Sequence, residues 1–279
     1  MVGEWQRTSS LTTDQRLDVL NLLNRTEAGL GREAIDEGRR RVVVHGWPAE
    51  HWLHYGHGPL DGYAMLTRGD PATVEMCGGG VDPALRTAVL ARHASVDWWT
   101  RGVHDGQNGH VVRTLQMLHV DLPAPVVAVP AGATLRNFVP GRDEEPWLAQ
   151  NNAAFADHPE QGAWRDRDLD ERTREPWFDP SGFLLLEIDG RLAASCWTKV
   201  HELHPDRFGE IYVVSVHPDF QGRGLGRVMV TQGLEALRRK GVSEAILFVD
   251  ESNAGARALY AALGFALGRE DQLVHFDAA

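Results

Sequence analysis

The spacing of apolar residues in the second half of the chain predicts a regular alternation of strands and helices. Runs rich in Val, Ile, Leu and Phe are separated by segments in which apolar residues recur every three or four positions. The predicted strands are 134–139, 183–188, 191–200, 211–216 and 245–249, and the predicted helices are 143–155, 166–175, 226–240 and 254–263. With one more strand expected after the helix 254–263, the order β-α-α-β-β-β-α-β-α-β indicates an α/β fold (α+β, with a mixed sheet).

The first half of the chain has a similar but incomplete pattern. Helices are predicted at 11–23, 31–39 and 84–93, and strands at 41–44, 51–55, 62–67, 73–77, 96–100 and 111–120. A proline-containing stretch at 123–133 predicts an extended linker between two copies of one fold. The predicted domains are therefore residues 1–122 and 134–279, joined by this linker.

A glycine-rich loop follows the strand 211–216. His217-Pro218-Asp219 ends the strand because proline cannot donate to a sheet ladder, and Gln221-Gly222-Arg223-Gly224-Leu225-Gly226 leads directly into a helix. Glycines let backbone N–H groups converge on an anion, and the helix N-terminus adds positive charge. We therefore expect a pyrophosphate site, with a flexible strand-to-helix turn as the alternative. The loop matches neither a P-loop nor a Rossmann fingerprint.

The first half lacks such a loop. Val81-Asp82-Pro83 leads straight into the helix 84–93, and the polar stretch 104–109 stands where a further helix is expected. Gly78-Gly79-Gly80 lies before the proline rather than after it, which favours a turn or a bulge over a phosphate site. We therefore interpret residues 1–122 as a degenerate copy that has lost its cofactor site.

Composition narrows the possible partners. With 28 basic and 39 acidic residues the net charge is −11, which argues against nucleic acid and is compatible with a small cationic substrate. Cys77 and Cys196 are too few for a disulfide framework, so a reducing cytoplasm is expected. His51, His54 and His57 are close in sequence, but glycines interrupt the segment that carries them and it does not present histidine pairs on a helix. We therefore expect no metal site. No run is long and apolar enough for a membrane helix, and we expect a monomer without membrane partners.

The Q-x-x-G-x-G spacing and the order of elements resemble the GCN5-related N-acetyltransferase (GNAT) superfamily. This resemblance implies tandem GNAT domains and one acetyl-CoA site, in the second domain. The pantetheine arm would lie along the strand, and the loop and the helix after Asn253 would hold the rest of the cofactor. The implied cofactor-binding residues are Val214, Ser215, Val216, Gln221, Gly222, Arg223, Gly224, Leu225, Gly226, Arg227, Asn253, Ala254, Gly255, Ala256 and Arg257.

Two side chains are candidates for acid–base chemistry. Glu210 stands at the entrance of the strand, where a carboxylate can bind an ammonium and accept its proton. Tyr260 lies in the helix 254–263, where the superfamily commonly places a tyrosine that protonates the leaving thiolate. The alternatives are a solvated glutamate at a strand end and a tyrosine that packs in the core.

Several segments resemble the mycothiol synthases, a family of two-domain GNAT enzymes. They include residues 151–156 and 158–162, W-F-D-P at 177–180 and W-T-K-V-H at 197–201. The resemblance implies acetylation of the cysteinyl amine of desacetylmycothiol (cysteinyl-glucosaminyl-inositol), giving mycothiol and CoA. It implies substrate contacts by Glu33, Glu160, Lys199, Glu210 and Phe248. At the position of Phe248 the family can carry a tyrosine, so one hydroxyl contact with the substrate is expected to be absent.

Other interpretations of these residues stay open. Without the resemblance, Glu160 and Lys199 are compatible with solvated surface side chains. The alternative functions are acetylation of a protein N-terminus or another small amine, and CoA binding by a regulator without catalysis. Glu210 and Tyr260 beside an intact loop argue against a regulator.

Overall fold

The protein is described by a computed structural model that covers residues 4–30, 32–103, 109–156, 162–203 and 206–278. The strands of these segments are β1 (Trp5–Thr8), β2 (Glu50–Tyr55), β3 (Leu60–Thr67), β4 (Ala72–Met76), β5 (Ser95–Arg101), β6 (His110–Asp121), β7 (Ala133–Asn137), β8 (Phe183–Ile188), β9 (Arg191–Leu203), β10 (Asp206–Val216), β11 (Glu244–Asp250) and β12 (Ala266–Asp277). The helices are α1 (Thr13–Leu30), α2 (Glu37–His45), α3 (Pro83–Leu90), α4 (Glu144–Ala154), α5 (Asp166–Thr173), α6 (Leu225–Arg239) and α7 (Ala254–Ala261). Within these segments, no helix has the length and apolar character needed to cross a membrane.

All of these strands form one mixed sheet in the order β1-β2-β3-β4-β5-β12-β6-β11-β10-β9-β8-β7. The two halves of the chain exchange strands at its centre. β12, the last strand of the chain, pairs with β5 and β6, and β6 pairs with both β11 and β12. The domain boundaries at residues 122 and 134 stay a prediction, and the first half of the sheet includes a strand from beyond the linker.

Four hydrophobic clusters cover the sheet. α1 and α2 pack on β2 and β3 around Leu23 and Tyr63, and α3 packs on a neighbouring cluster that contains Trp98 together with Val274 and Phe276 of β12. In the second half, α6 and α7 cover one large cluster. A separate aromatic cluster under α4 and α5 contains Phe138, Trp147, Phe183 and Trp197. These clusters fix the strands that carry the candidate site residues.

The predicted order of elements in the second half is confirmed, including the hairpin at Asp189-Gly190, where φ is 52° and 73°. The predicted strand at 41–44 is wrong, and the helix predicted at 31–39 begins later. Residues 37–39 and 41–44 both belong to α2. The Asp36 side chain caps its start by accepting a hydrogen bond from Arg39 N, and Gly46 ends the helix with φ 68°. Residues 104–108 lie outside the described residues. The predicted turn at Gly78-Gly79 is confirmed, with φ 85° and 80°.

Gly233 in α6 allows the helix to lie close to the sheet. A Cβ at this position would stand 2.5 Å from Cys196 Sγ and 2.9 Å from Ile211 Cδ1, both in the core. We expect Gly233→Ala to lower the free energy of unfolding by about 1–3 kcal/mol, as overpacked cores do, despite the higher helix propensity of alanine. Urea denaturation measures this change.

The matched control is Gly29→Ala in α1, where a new Cβ meets nothing within 4 Å. Gly29→Ala should leave the free energy of unfolding unchanged or raise it by up to about 1 kcal/mol, because alanine has the higher helix propensity. Equal effects of the two substitutions would contradict close packing at Gly233.

Candidate active site

β10 and β11 separate from each other soon after they pair. In their parallel register, Gly209 pairs with Ala245 and Glu210 pairs with Ile246. A bulge in β10 follows, where the register with β9 shifts between Ile211 and Val213. Beyond the bulge, the β10 edge that faces β11 has no strand partner within the described segments of the chain. An extended chain can add to such an edge through backbone hydrogen bonds, so the gap forms a slot for an extended ligand.

The glycine loop closes one end of this slot. Gly222 and Gly224 adopt φ of 74° and 76°, and α6 begins directly afterwards. A cavity of about 270 Å³ lies here, lined by Val216, Gln221, Gly222, Gly224, Leu225, Gly226, Arg227 and Leu259. The first amides of a helix lack partners within the helix, so the cavity faces N–H donors and the positive end of α6. The residues present fit a phosphate-bearing group.

The remaining predicted cofactor residues lie on β10, in the loop and at the start of α7, outside the lining of this cavity. Val214 and Ser215 belong to β10, and Ser215 Oγ bonds Gln150 Oε1 at 3.1 Å, away from the slot. The Arg223 guanidinium lies over the Phe220 ring at 5.2 Å. Asn253 caps α7 by accepting from Ala256 N at 3.0 Å, and Arg257 donates to Glu251 O. Ala254, Gly255 and Ala256 form the exposed first turn of that helix.

A larger cleft, of about 670 Å³, lies where the other end of the slot opens. It is lined by the segment 32–38 and β6 from the first half of the chain, and by β9, β10 and β11 from the second. Lys199 and Glu210 face each other across the β9–β10 pair, and His201 lies two residues further on the same face. All three side chains are buried, each less than a tenth exposed. The cleft therefore joins both halves around a buried polar cluster.

Hydrogen bonds join the residues of this cluster in two sets. His201 Nε2 lies 2.6 Å from Glu210 Oε2, and Lys199 Nζ donates to Glu33 Oε1 at 3.1 Å and to Glu37 Oε2 at 3.2 Å. Burial alone would lower the pKa of Lys199, but the carboxylates of Glu33, Glu210 and Glu37 outweigh it and raise that pKa. Lys199 therefore stays charged and holds the segment 32–38 against β9.

Arginines also line the cleft. Arg101 bridges Glu75 and Asp271, and Arg269 also bonds Asp271, at 3.1 Å. Burial, and then the nearby Arg269 and Arg101, lower the pKa of Arg32. Burial, and then Asp36, raise the pKa of Glu75 to about 7, although two arginines contact it. The lining of the cleft thus combines carboxylates with guanidinium groups.

The comparisons with known proteins agree with this architecture. Residues 147–265 match the model of the acetyltransferase (GNAT) family. The chain is 39% identical to a mycothiol acetyltransferase of Streptomyces coelicolor, over 94% of this chain and 92% of the relative. The chain belongs to the mycothiol acetyltransferase family. It is therefore an acetyltransferase, and acetyl-CoA is its donor.

Solved structures show the same fold as this member of the mycothiol acetyltransferase family. A GCN5-related N-acetyltransferase from Sphaerobacter thermophilus superposes with a TM-score of 0.68 at 20% identity, covering 98% of this chain and 96% of that one. A tandem GNAT protein from the clavulanic acid biosynthesis pathway gives a TM-score of 0.68 at 16% identity, covering 99% of both chains. The predicted α/β tandem GNAT fold is confirmed.

Most of the substrate residues predicted from the resemblance to mycothiol synthases gather in the cleft. Glu33, Lys199, Glu210 and Phe248 all line it, and Phe248 is 37% exposed. Glu160 lies outside the described residues. Within the described part of the chain, no group of three or more His, Cys, Asp or Glu residues could hold a metal ion.

Tyr260 lies in the core rather than on the wall of the cleft. It is 7% exposed, and its ring packs against Phe265 at 5.6 Å between centroids. Burial, and then the nearby Cys196, raise its pKa to about 12. Cys196 pairs with Val214 of the slot strand, so the tyrosine lies close to the slot. The phenol keeps its proton at neutral pH and can act only as a donor of that proton.

Two polar residues of the site were missed by sequence reasoning. His201 contacts the candidate base, and Glu37 accepts hydrogen bonds from Lys199 and from Trp177 Nε1, the latter at 3.1 Å. The predicted strand 191–200 stops one residue before His201, whereas β9 continues to Leu203 and places His201 on the same face as Lys199, two residues away. No comparable signal was available for Glu37, because its helix was predicted to end at 39 before a strand.

Proposed function

We propose that this protein acetylates the cysteinyl amine of desacetylmycothiol with acetyl-CoA, producing mycothiol and CoA. The observation that carries the proposal is the position of Glu210. It is the last residue of β10 that pairs with β11, and its side chain lines the cleft. A carboxylate at the junction of slot and cleft meets both requirements of the reaction, contact with an ammonium and closeness to a thioester.

The slot and the glycine loop are the proposed acetyl-CoA site. The backbone of Val214–Val216 would pair with the pantetheine arm, and the loop 221–227 with the start of α6 would hold the pyrophosphate. When bound there, acetyl-CoA supplies the acetyl thioester. The chain offers one such glycine loop, in the second half, and calorimetric titration is expected to give one CoA per chain.

The proposed acid and base stand on different elements. Glu210 on β10 accepts the proton of the acceptor ammonium, and Tyr260 on α7 donates its proton to the leaving thiolate. The raised pKa of about 12 keeps Tyr260 protonated until the thiolate forms. Its place in the same core cluster as Cys196, which pairs with Val214, supports a position near the thioester end of the slot.

The cleft suits the acceptor chemically. Its volume of about 670 Å³ falls within the range of small-molecule sites. Glu210 and Glu33 offer carboxylates to the ammonium, while Lys199, Arg32 and Arg269 can donate hydrogen bonds to sugar and inositol hydroxyls. Phe248 provides an apolar surface and no hydroxyl contact.

An acceptor screen tests this function. Purified protein and acetyl-CoA are incubated with desacetylmycothiol, with other small amines and with peptides, and products are identified by mass spectrometry. We expect desacetylmycothiol to be the preferred acceptor. Turnover of peptides without turnover of desacetylmycothiol would overturn the proposed acceptor and leave the acetyltransferase chemistry in place.

The loop itself gives a prediction about cofactor affinity. Gly224 has φ 76°, a conformation that costs an L-residue about 1–2 kcal/mol. We expect Gly224→Ala to move the loop amides and to weaken CoA binding by about tenfold, measured by isothermal titration calorimetry.

The matched control is Gly190→Ala in the β8–β9 hairpin, with φ 73° and open space around its Cα. This substitution should carry the same backbone strain and leave the Kd for CoA unchanged. An equal weakening of CoA binding by both variants would indicate a general loss of stability instead of a local effect at the loop.

A further inference from the structure

The buried position of Glu210 raises the question of how its proton leaves. An ammonium and a thioester become an amide and a thiol, so each turnover releases one proton. Glu210 is 8% exposed, and one of its carboxylate oxygens is bonded to His201. We propose that His201 and Glu33 form the proton exit from Glu210 to solvent. This inference rests on the proposed role of Glu210 as the base.

The first link of this path is a short hydrogen bond. His201 Nε2 lies 2.6 Å from Glu210 Oε2, and both side chains are nearly closed to water, at 7% and 10% exposure. The imidazole ring stacks on Phe208 with 4.6 Å between ring centroids and 15° between planes. Because the ring is held in place by this stacking, its Nε2 stays directed at the carboxylate.

The second link joins the two halves of the chain. The other ring nitrogen, His201 Nδ1, lies 3.8 Å from Glu33 Oε1, a distance that one bridging water or a small rotation of Glu33 closes. The Glu33 side chain is 35% exposed, so it reaches water that Glu210 does not. The path therefore runs from a buried carboxylate through an imidazole to a carboxylate at the surface of the cleft.

The proton balance of this path closes without another reactant. The N–H bond of the ammonium breaks as an O–H bond forms on Glu210. His201 accepts that proton at Nε2 and releases the proton on Nδ1 to Glu33, because a neutral imidazole accepts at one nitrogen and donates at the other. Glu33 passes it to solvent. A second N–H bond breaks on the same nitrogen as the amide forms, and its proton replaces the one that Tyr260 gave to the thiolate. After the ring proton returns from Nε2 to Nδ1, each group regains its starting state.

Only some of the groups around His201 can carry a proton near neutral pH. Besides Glu33 and Glu210, the charged and titratable groups that line the cleft with His201 are Lys199, Arg207, Tyr212, Glu244, Glu37 and Arg172, together with Arg32, Asp36, Arg101 and Arg269. Lys199 is held charged by its carboxylates, and burial raises the pKa of Tyr212, so it stays neutral. Neither changes its charge near neutral pH, which leaves the carboxylates and His201 to carry the proton.

Kinetics of three variants test the path. His201→Gln keeps a hydrogen bond to Glu210 and cannot carry a proton, so kcat should fall about tenfold to a hundredfold, below the loss for direct acid–base contacts. The KM for the acceptor should stay within about threefold. In His201→Ala, free imidazole should restore part of the lost rate. Glu33→Gln should lower kcat less, and its rate should rise with buffer concentration.

The control is His93→Gln, in the loop after α3 on the first half of the chain, where the ring contacts Glu50. Its kcat should equal that of the unchanged protein. A kcat for His201→Gln within twofold of the unchanged protein would overturn the proposal. Loss of rate in His201→Ala without any response to imidazole would also overturn it, because a purely structural role predicts that result.

A measurement without acceptor separates this proposal from the proposed function. In protein labelled with ¹⁵N-histidine, the titration of the His201 ring should change in both Glu210→Gln and Glu33→Gln, while that of His93 should not. No change at His201 in either variant overturns the path, whatever the acceptor is. If the unchanged protein fails to acetylate desacetylmycothiol and both variants alter His201, the assigned acceptor is wrong and the path stands.

Discussion

Replacement of Glu210 by glutamine is expected to lower kcat by about 10²- to 10⁴-fold at neutral pH, the usual contribution of a positioned general base. The amide has nearly the same shape as the carboxylate and can still bond His201, which lies 2.6 Å away. It cannot accept a proton from an ammonium. Because the glycine loop lies at the other end of the slot, the Kd for CoA should not change, and titration calorimetry measures it beside the steady-state rate.

A neighbouring carboxylate provides the control for this substitution. Glu202 lies on β9 directly after His201, but its side chain is 67% exposed and pairs with Arg207 at 2.9 Å. Exposed pairs of this kind contribute about 0–1 kcal/mol. Glu202→Gln removes the same charge and should leave kcat within twofold. If Glu210→Gln retains more than about a tenth of the original kcat, Glu210 is not the base.

Local sequence signals were sufficient for most of the second half. These signals depend on residues within a few positions of one another. They are the different periods of apolar residues in helices and strands, the Asp189-Gly190 hairpin and the cap at Asn253. The glycine loop is equally local, since its positive φ values require glycine. For this reason the loop could be predicted to precede α6 without knowledge of the fold.

The same local signals failed at α2. Arg41 to Val44 contains three consecutive valines, which favour a strand. The structure forms a helix because Asp36 caps its start, Val43 is buried among α1 and β3, and Arg41 pairs with Glu37 one turn earlier. Tertiary burial of one face outweighed the intrinsic preference of the valines. Glu37, the first residue of that helix, lines the cleft.

The site itself depends on contacts far apart in the sequence. Lys199 meets Glu33 across 166 residues, and nothing in either segment specifies that pairing. The resemblance to mycothiol synthases named both residues, but it did not indicate that they bond one another. The exchange of β6 and β12 is likewise not encoded in the period of either strand, because alternation along a strand does not identify its neighbours.

This exchange predicts the largest loss of stability. Val274 of β12 is fully buried and pairs with Trp98 of β5, in the cluster that supports the first half of the chain. Val274→Asp would bury a carboxylate among apolar side chains without a charged or hydrogen-bonding partner. This should lower the free energy of unfolding by about 4 kcal/mol or more. Although the residue lies 5 positions before the end of the chain, amides of β5 and β6 should lose protection in hydrogen exchange.

Leu267 on the same strand provides the comparison, because its side chain is 53% exposed. Leu267→Asp should change the free energy of unfolding by no more than about 0.5 kcal/mol, as surface substitutions usually do. If Val274→Asp left β5 protected and exposed only amides of β10 and β11, the first half would be stable without β12. Loss of protection in β5 would instead mean that the two halves fold as one cooperative unit, because each completes the sheet of the other.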